Sequence, residues 1–196
     1  MFDPKAFRDA LGSFVTGVTI VTARDGEGRP FGLTANSFNS VSLDPPMVLW
    51  SLSLQSRTLP VFRDAECWAV HVLAEDQQAM SDRFARPGDD KFDGLDKGDG
   101  PEGAPLIEGY AARFGCRARF EYEGGDHAIF LGEVADFDRR DVEPLIYHSG
   151  RYARVMRSPT GEDLEREGLA EKIGGTLSLT ASGAELLAAL QGLAKR

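Results

Sequence analysis

The chain has 196 residues, 22 basic and 31 acidic side chains, and a formal net charge of −9. That length can bury a core without disulfide staples. No run approaches the roughly 18 apolar residues of a membrane span, and so acidic a surface repels phosphate backbones, which argues against general nucleic-acid binding. The two cysteines, Cys67 and Cys116, have no CxxC or CxxH context. Neither a disulfide framework nor a metal site is expected, and two lone thiols without a leader pattern at Met1-Phe2-Asp3-Pro4 point to the cytoplasm.

In chain order, residues 4–13 predict a short helix, capped by Asp3 and opened by Pro4. Phe14 to Ala23, dense in Val, Thr and Ile, predicts a strand. Asp25 to Gly28 is a turn. Phe31 to Val41 is extended and rich in small polar residues. Asp44-Pro45-Pro46 cannot continue a helix, and the apolar run Pro46 to Leu54 predicts a buried strand. A short helix is expected over 58–64, with Thr58 as its N-cap and Pro60 in its first turn. Cys67 to Leu73 predicts a strand with Trp68, Val70 and Val72 on one face and Cys67, Ala69 and His71 on the other. His71, among apolar neighbours, reads as structural. Ala74 to Arg86 predicts a helix. Residues 86–103, with six acidic residues, five glycines and two prolines, predict a solvated, mobile loop.

From 113 to 122, Phe114, Cys116, Ala118, Phe120 and Tyr122 alternate with Arg113, Gly115, Arg117, Arg119 and Glu121. This predicts a strand with one buried and one wet face. Gly124-Gly125-Asp126 joins it to 127–137 in a hairpin whose loop is expected to exceed two residues. Leu145 to His148 and Arg151 to Val155 make two more short strands around Ser149-Gly150. About seven short strands with few helices argue for an antiparallel barrel or sandwich. No GxGxxG or GxxxxGK[ST] pattern supports a Rossmann domain or a P-loop. Beyond Arg157 the pattern turns helical, with a capping-box form at Ser182 to Glu185 before Leu186, Leu187, Leu190 and Leu193. Leu179 to Leu187 faintly resembles the last helix of a winged-helix regulator, in a segment too short for that whole domain. The expected organisation is a domain over 1–156 and a helical extension over 157–196.

Two stretches carry candidate chemistry. In Gly32 to Ser42, small side chains let a flat ligand approach the backbone, and Thr, Asn and Ser supply donors and acceptors for a ring edge. In Ser51 to Thr58, hydroxyls, amide N–H groups and the Arg57 guanidinium can together cradle a phosphate.

The run Gly32 to Leu49, containing Ser42-Leu43-Asp44-Pro45-Pro46, resembles the signature of the flavin reductase family. These are small reductase components of two-component flavin-dependent monooxygenases. Ser56-Arg57-Thr58, the strand Trp68 to Ala74, Gly125-Asp126-His127 and Ser149-Gly150-Arg151-Tyr152 resemble further family motifs, in order, over roughly residues 5–155. The resemblance implies an FMN-binding split barrel: a six-stranded antiparallel Greek-key barrel with flanking helices, in a homodimer. It implies hydride transfer from NADH or NADPH to FMN or FAD, with the reduced flavin passing to a separate monooxygenase. By the same resemblance, Thr34, Ala35, Asn36 and Ser37 line the flavin ring and ribityl chain, with Ser51 and Ser53 close by. Ser56, Arg57 and Thr58 hold the phosphate, and Arg83, followed by Phe84, falls where some members place another phosphate contact, with Lys91 as a rival. His127 is expected at the nicotinamide or flavin edge as the catalytic candidate, and Tyr152 near the nicotinamide. Ser149 departs from the basic residue expected there. The alternatives are a split-barrel flavoprotein with tightly bound FMN and a non-enzymatic flavin-binding module.

Overall fold

In this computed structural model the described residues are 2–88, 91–95, 98–100, 103–155, 160–173 and 176–193. The chain divides into two compact units, Met1–Val155 and Met156–Arg196. The expected boundary at 156/157 lies outside the described residues.

The first unit opens with helix α1 (Pro4–Leu11), which Asp3 caps by accepting from the Lys5 amide at 2.9 Å. Strands β1 (Thr16–Gly17), β2 (Thr19–Arg24), β3 (Pro30–Ala35), β4 (Asn39–Leu43) and β5 (Pro46–Ser53) follow. Helix α2 (Leu59–Asp64), strand β6 (Cys67–Val72) and helix α3 (Gln78–Ala85) come next. The long hairpin β7 (Ala112–Gly124) and β8 (His127–Arg139) and the short β9 (Ile146–His148) and β10 (Arg151–Ala153) complete the unit. The main sheet is antiparallel with order β3-β2-β6-β7-β8-β5-β4, and β1-β9-β10 form a small second sheet. The fold is therefore mostly β with a few helices. Its main sheet has seven strands rather than the expected six, and it is open: β3 and β4 are its two edges.

Two apolar clusters flank β2 and β6, because alternate residues of a strand face opposite ways. Val21, Trp68 and Val70 join Trp50, Leu52, Phe62 and Phe130 in one cluster. Val18, Ile20 and Leu73 join Phe84, Phe92, Ile107 and Leu145 in the other. Trp50 stacks on Phe130 at 4.8 Å and meets Phe62 and Trp68 edge-on. Truncating so buried an aromatic side chain to alanine costs about 3–5 kcal/mol. Gly32 is required by packing: a Cβ there would lie 2.6 Å from the Phe84 ring.

Several sequence expectations are corrected. Helix α3 starts at Gln78, not Ala74. The chain is still extended there, with Ala74 bridging Pro144 and the Glu75 amide donating to the Glu143 carbonyl at 2.9 Å. The β7–β8 loop is only Gly125-Asp126, since Gly124 pairs with His127. Gly125 takes φ +73°, the left-handed conformation a two-residue hairpin loop needs. The alternation in β7 fails at both ends. Phe114, Cys116 and Ala118 keep one packed face, and the register shift at Ala118/Phe120 puts an extra residue into β7 before the hairpin end. Arg113 is buried against Asp136, while Phe120 and Tyr122 are exposed and stack on each other. The 86–103 loop is not uniformly solvated: Phe92 is buried and meets Phe84 edge-on at 5.0 Å.

The second unit is not wholly helical. Helix α4 (Gly161–Arg166) is followed by a hairpin of β11 (Ala170–Ile173) and β12 (Thr176–Leu179), then helix α5 (Ala181–Leu193). The capping box sits at Thr160 and Asp163 rather than at Ser182 and Glu185. For α5, the Thr180 hydroxyl accepts from the Gly183 amide at 3.2 Å. The side chains of Leu190 and Leu193 lie outside the description.

Candidate functional site

Strand β5 organises one group of the predicted residues. The Ser37 hydroxyl donates to the Ser51 carbonyl and accepts from the Ser51 amide, both at 3.0 Å. Ser37 thus acts as a strand partner to β5 with a side chain instead of a backbone, at the gap between the sheet edges. Two residues further along, Ser53 pairs with His127, and the Leu54 amide donates to the Asp126 carbonyl at 2.9 Å. The chain then turns: the Ser56 amide donates to the Ser53 carbonyl at 2.9 Å, and the Ser56 and Thr58 hydroxyls bond at 2.9 Å. Thr58 precedes α2 as expected but makes no side-chain cap. Arg57 is exposed, with no side-chain hydrogen bond or ion pair among the described residues. In a chain of net charge −9, a guanidinium left without a carboxylate has the chemistry to receive an anion.

His127 opens β8 beside this turn. Its Nδ1 lies 2.7 Å from Asp126 Oδ1, and that bond holds the Asp126 carboxyl below the usual carboxylate range. The carboxylate fixes the ring's orientation.

A second group gathers around α3. Thr34, near the end of β3, donates its hydroxyl to the Ser81 carbonyl at 2.7 Å. The Tyr152 hydroxyl lies 2.9 Å from Ser81 Oγ and 2.8 Å from Asp82 Oδ1. Burial and then the Asp82 carboxylate raise its pKa above the ordinary phenol value. A cavity of about 590 Å³ opens beside these residues, lined by Asp82, Arg83, Arg86, Lys91 and Asp93. Its volume suits a small molecule or part of a nucleotide. Arg83 donates to the Asp93 carbonyl at 2.5 Å. Lys91 donates to the carbonyls of Gly32 and Phe84 at 3.2 and 3.0 Å, strapping the loop to β3 and α3.

The structure therefore collects Ser37, Ser51, Ser53, Ser56, Arg57, Thr58 and His127 along β5, and Thr34, Arg83 and Tyr152 around α3. Ala35 and Asn36 lie on the segment between Thr34 and Ser37, which spans about 10 Å when extended. Asn36 is exposed, with no side-chain hydrogen bond among the described residues. Phe84 is a correction: its ring is 1 % exposed and packs against Gly32 and Phe92, so it is core and presents no surface to a ligand. Ser81, Asp82 and Arg86 were not singled out from sequence. Ser81 lies three residues before Phe84 on the buried side of α3, and a polar residue at that spacing was the available signal.

A family model described as "Flavin reductase like domain" matches residues 11–156. The chain belongs to the flavin reductase family. An FMN reductase (NADH), SmoA of Agrobacterium fabrum, is 49% identical over 153 residues, which cover 78% of this chain and 87% of that protein. The reductase component of a flavin-dependent trigonelline monooxygenase of Acinetobacter baylyi is 43% identical over 156 residues, covering 80% of this chain but only 50% of that one. Among solved structures, an NADH:FAD oxidoreductase of Streptomyces globisporus in complex with NAD and FAD fragments has a TM-score of 0.74 and 40% identity. The match covers 80% of this chain and 96% of that one.

Proposed function

We propose that the protein is an NAD(P)H-dependent flavin reductase that takes hydride from the nicotinamide nucleotide onto FMN or FAD and supplies reduced flavin to a partner monooxygenase. The observation that carries this reading is the 49% identity to an NADH-dependent FMN reductase across 153 residues. The site chemistry supports it. The flavin and nicotinamide carry the electrons, and the protein's work is to bind the two rings, orient them and exclude water. Ala35 and the exposed Asn36, between Thr34 and Ser37, fit a flavin edge. Ser53, Ser56, Arg57 and Thr58 fit its phosphate. Arg83 and the cationic cavity fit a further phosphate. His127, oriented by Asp126, sits at the flavin or nicotinamide edge, and Tyr152 stands on the nicotinamide side.

In this reading the open sheet is the split barrel of the family, with its gap between β3 and β4, and the domain extends to residue 156 with a separate extension beyond. The protein works as a homodimer. The exposed Phe7, Leu11, Phe14 and Val15 near α1 and the exposed Phe120 and Tyr122 at the hairpin support an apolar interface. No described helix is long and apolar enough to cross a membrane, and the two scattered cysteines, Cys67 and Cys116, suit the reducing cytoplasm.

The test is oxidation of NADH and NADPH by the purified chain, first without flavin and then with FMN, FAD or riboflavin. Turnover is expected only with added flavin, and it should saturate as flavin is titrated. Flavin that copurifies and resists dialysis, with turnover independent of added flavin, would replace this reading with that of a bound-flavin oxidase.

A further inference from the structure

Ser81 touches two residues of the group around α3, Thr34 and Tyr152. Its side chain is fully buried in the interior of α3, where alanine is the better helix former. A hydroxyl kept in such a place needs a partner. Its partner is Tyr152 on β10, whose oxygen is 2.9 Å away. Tyr152 has one proton and two close neighbours. The Asp82 carboxylate, at 2.8 Å, takes it, so the Ser81 hydroxyl donates its own proton to the phenol oxygen. Meanwhile the main-chain carbonyl of Ser81 accepts the Thr34 hydroxyl of β3 at 2.7 Å. One residue thus ties the strand assigned to the flavin to the strand assigned to the nicotinamide, through two different atoms.

We propose that Ser81 is a positioning residue for the reduction: it sets Tyr152, through its hydroxyl, relative to Thr34, held on its carbonyl. The proposal rests on the reading of Tyr152 as a nicotinamide-side residue. The two arms are separable by mutation. Ser81→Ala removes only the Tyr152 arm, because the carbonyl that holds Thr34 remains.

The experiment is steady-state kinetics on the full chain for Ser81→Ala, Tyr152→Phe and the double variant, with flavin affinity and thermal melting measured alongside. Ser81→Ala is expected to raise KM for NADH by about five-fold, with flavin affinity held and a cooperative melt retained. In the Tyr152→Phe background it should add nothing, because the bond is already gone. An unchanged KM for NADH in Ser81→Ala, beside a raised one in Tyr152→Phe, overturns the positioning role alone. So does an effect of Ser81→Ala that persists in full in the Tyr152→Phe background, the mark of a merely structural residue. If Tyr152→Phe leaves KM for NADH untouched, the placement of Tyr152 at the nicotinamide falls, and the proposal falls with it.

Discussion

The buried side chains of Thr19, Thr22 and His71 and the exposed guanidinium of Arg57, at the turn after β5, are treated in opposite ways. Inside, the side chains of Thr19, Thr22 and His71 each reach a main-chain partner: the Thr19 hydroxyl donates to the Ala35 carbonyl at 2.7 Å, and that of Thr22 to the Pro105 carbonyl at 2.6 Å. His71 Nδ1 lies 3.2 Å from the Ile20 carbonyl, and its Nε2 is 3.2 Å from the Ile107 amide. These groups hold segments together. At the turn after β5, by contrast, Arg57 has no side-chain partner among the described residues. The contrast separates residues that make the shape from residues that await a ligand, and it can be broken from either side.

The largest expected effect is on the interior side. His71 Nε2 accepts a hydrogen bond from the Ile107 amide and Nδ1–H donates one to the Ile20 carbonyl, which fixes the neutral Nδ1–H tautomer. Burial lowers its pKa from 6.5 to about 4. Between those two values the unfolded chain binds a proton that the folded chain does not. Stability from this group is complete above pH 6.5, falls as the pH drops through the window, and changes no further below about 4. The loss is about 3 kcal/mol across the window. Denaturant melts from pH 7 to 4 should show a steep decline that His71→Gln flattens. Equal slopes in the two proteins would mean that the imidazole is not held neutral.

Next comes the ligand side. If Arg57 receives the flavin phosphate, Arg57→Ala should weaken FMN by about 10- to 100-fold while riboflavin, which has no phosphate, binds as before. Equal losses for the two would remove Arg57 from the phosphate. The residue pattern at 51–58 made this turn legible from sequence, because its hydroxyls and guanidinium are consecutive in the chain. The neighbourhood of Ser81, Asp82 and Tyr152 was not legible, since it depends on a helix and a strand far apart in sequence meeting over β3. The hairpin was legible as two strands, but not its aim. Phe114, Cys116 and Ala118 share one packed face as alternation expects, but the other face buries Arg113 against Asp136, and beyond the register shift at Ala118/Phe120 the Phe120 and Tyr122 rings are exposed. Phe84 failed for a related reason: its motif neighbour Arg83 reaches the cavity, but one residue along a helix turns the side chain about 100° away, into the core.

Ser37 tests the boundary between the two classes, because it belongs to the ligand strand yet spends its hydroxyl on Ser51. Ser37→Ala leaves the Ser51 amide and carbonyl without that partner, at a cost of about 1 kcal/mol in stability. Because the defect is one of shape, FMN and riboflavin should weaken together, by a few-fold at most. A loss confined to FMN would instead place Ser37 among the phosphate contacts.

The smallest expected effect concerns the second unit, whose capping box, hairpin and helix form a compact piece with its own internal hydrogen bonds. The Thr160–Asp163 box, the β11–β12 ladder and the Thr180 bonds to Gly168, Leu169 and Gly183 all close within 160–184. The family match ends at residue 156, and every residue assigned to flavin or nicotinamide lies before it. A chain ending at Val155 should therefore reduce flavin with unchanged kcat and KM, with at most a modest fall in melting temperature. Loss of turnover in a shortened chain that still melts cooperatively would show that the extension completes the site. The division between shape-making and ligand-awaiting residues would then have to be redrawn to include it.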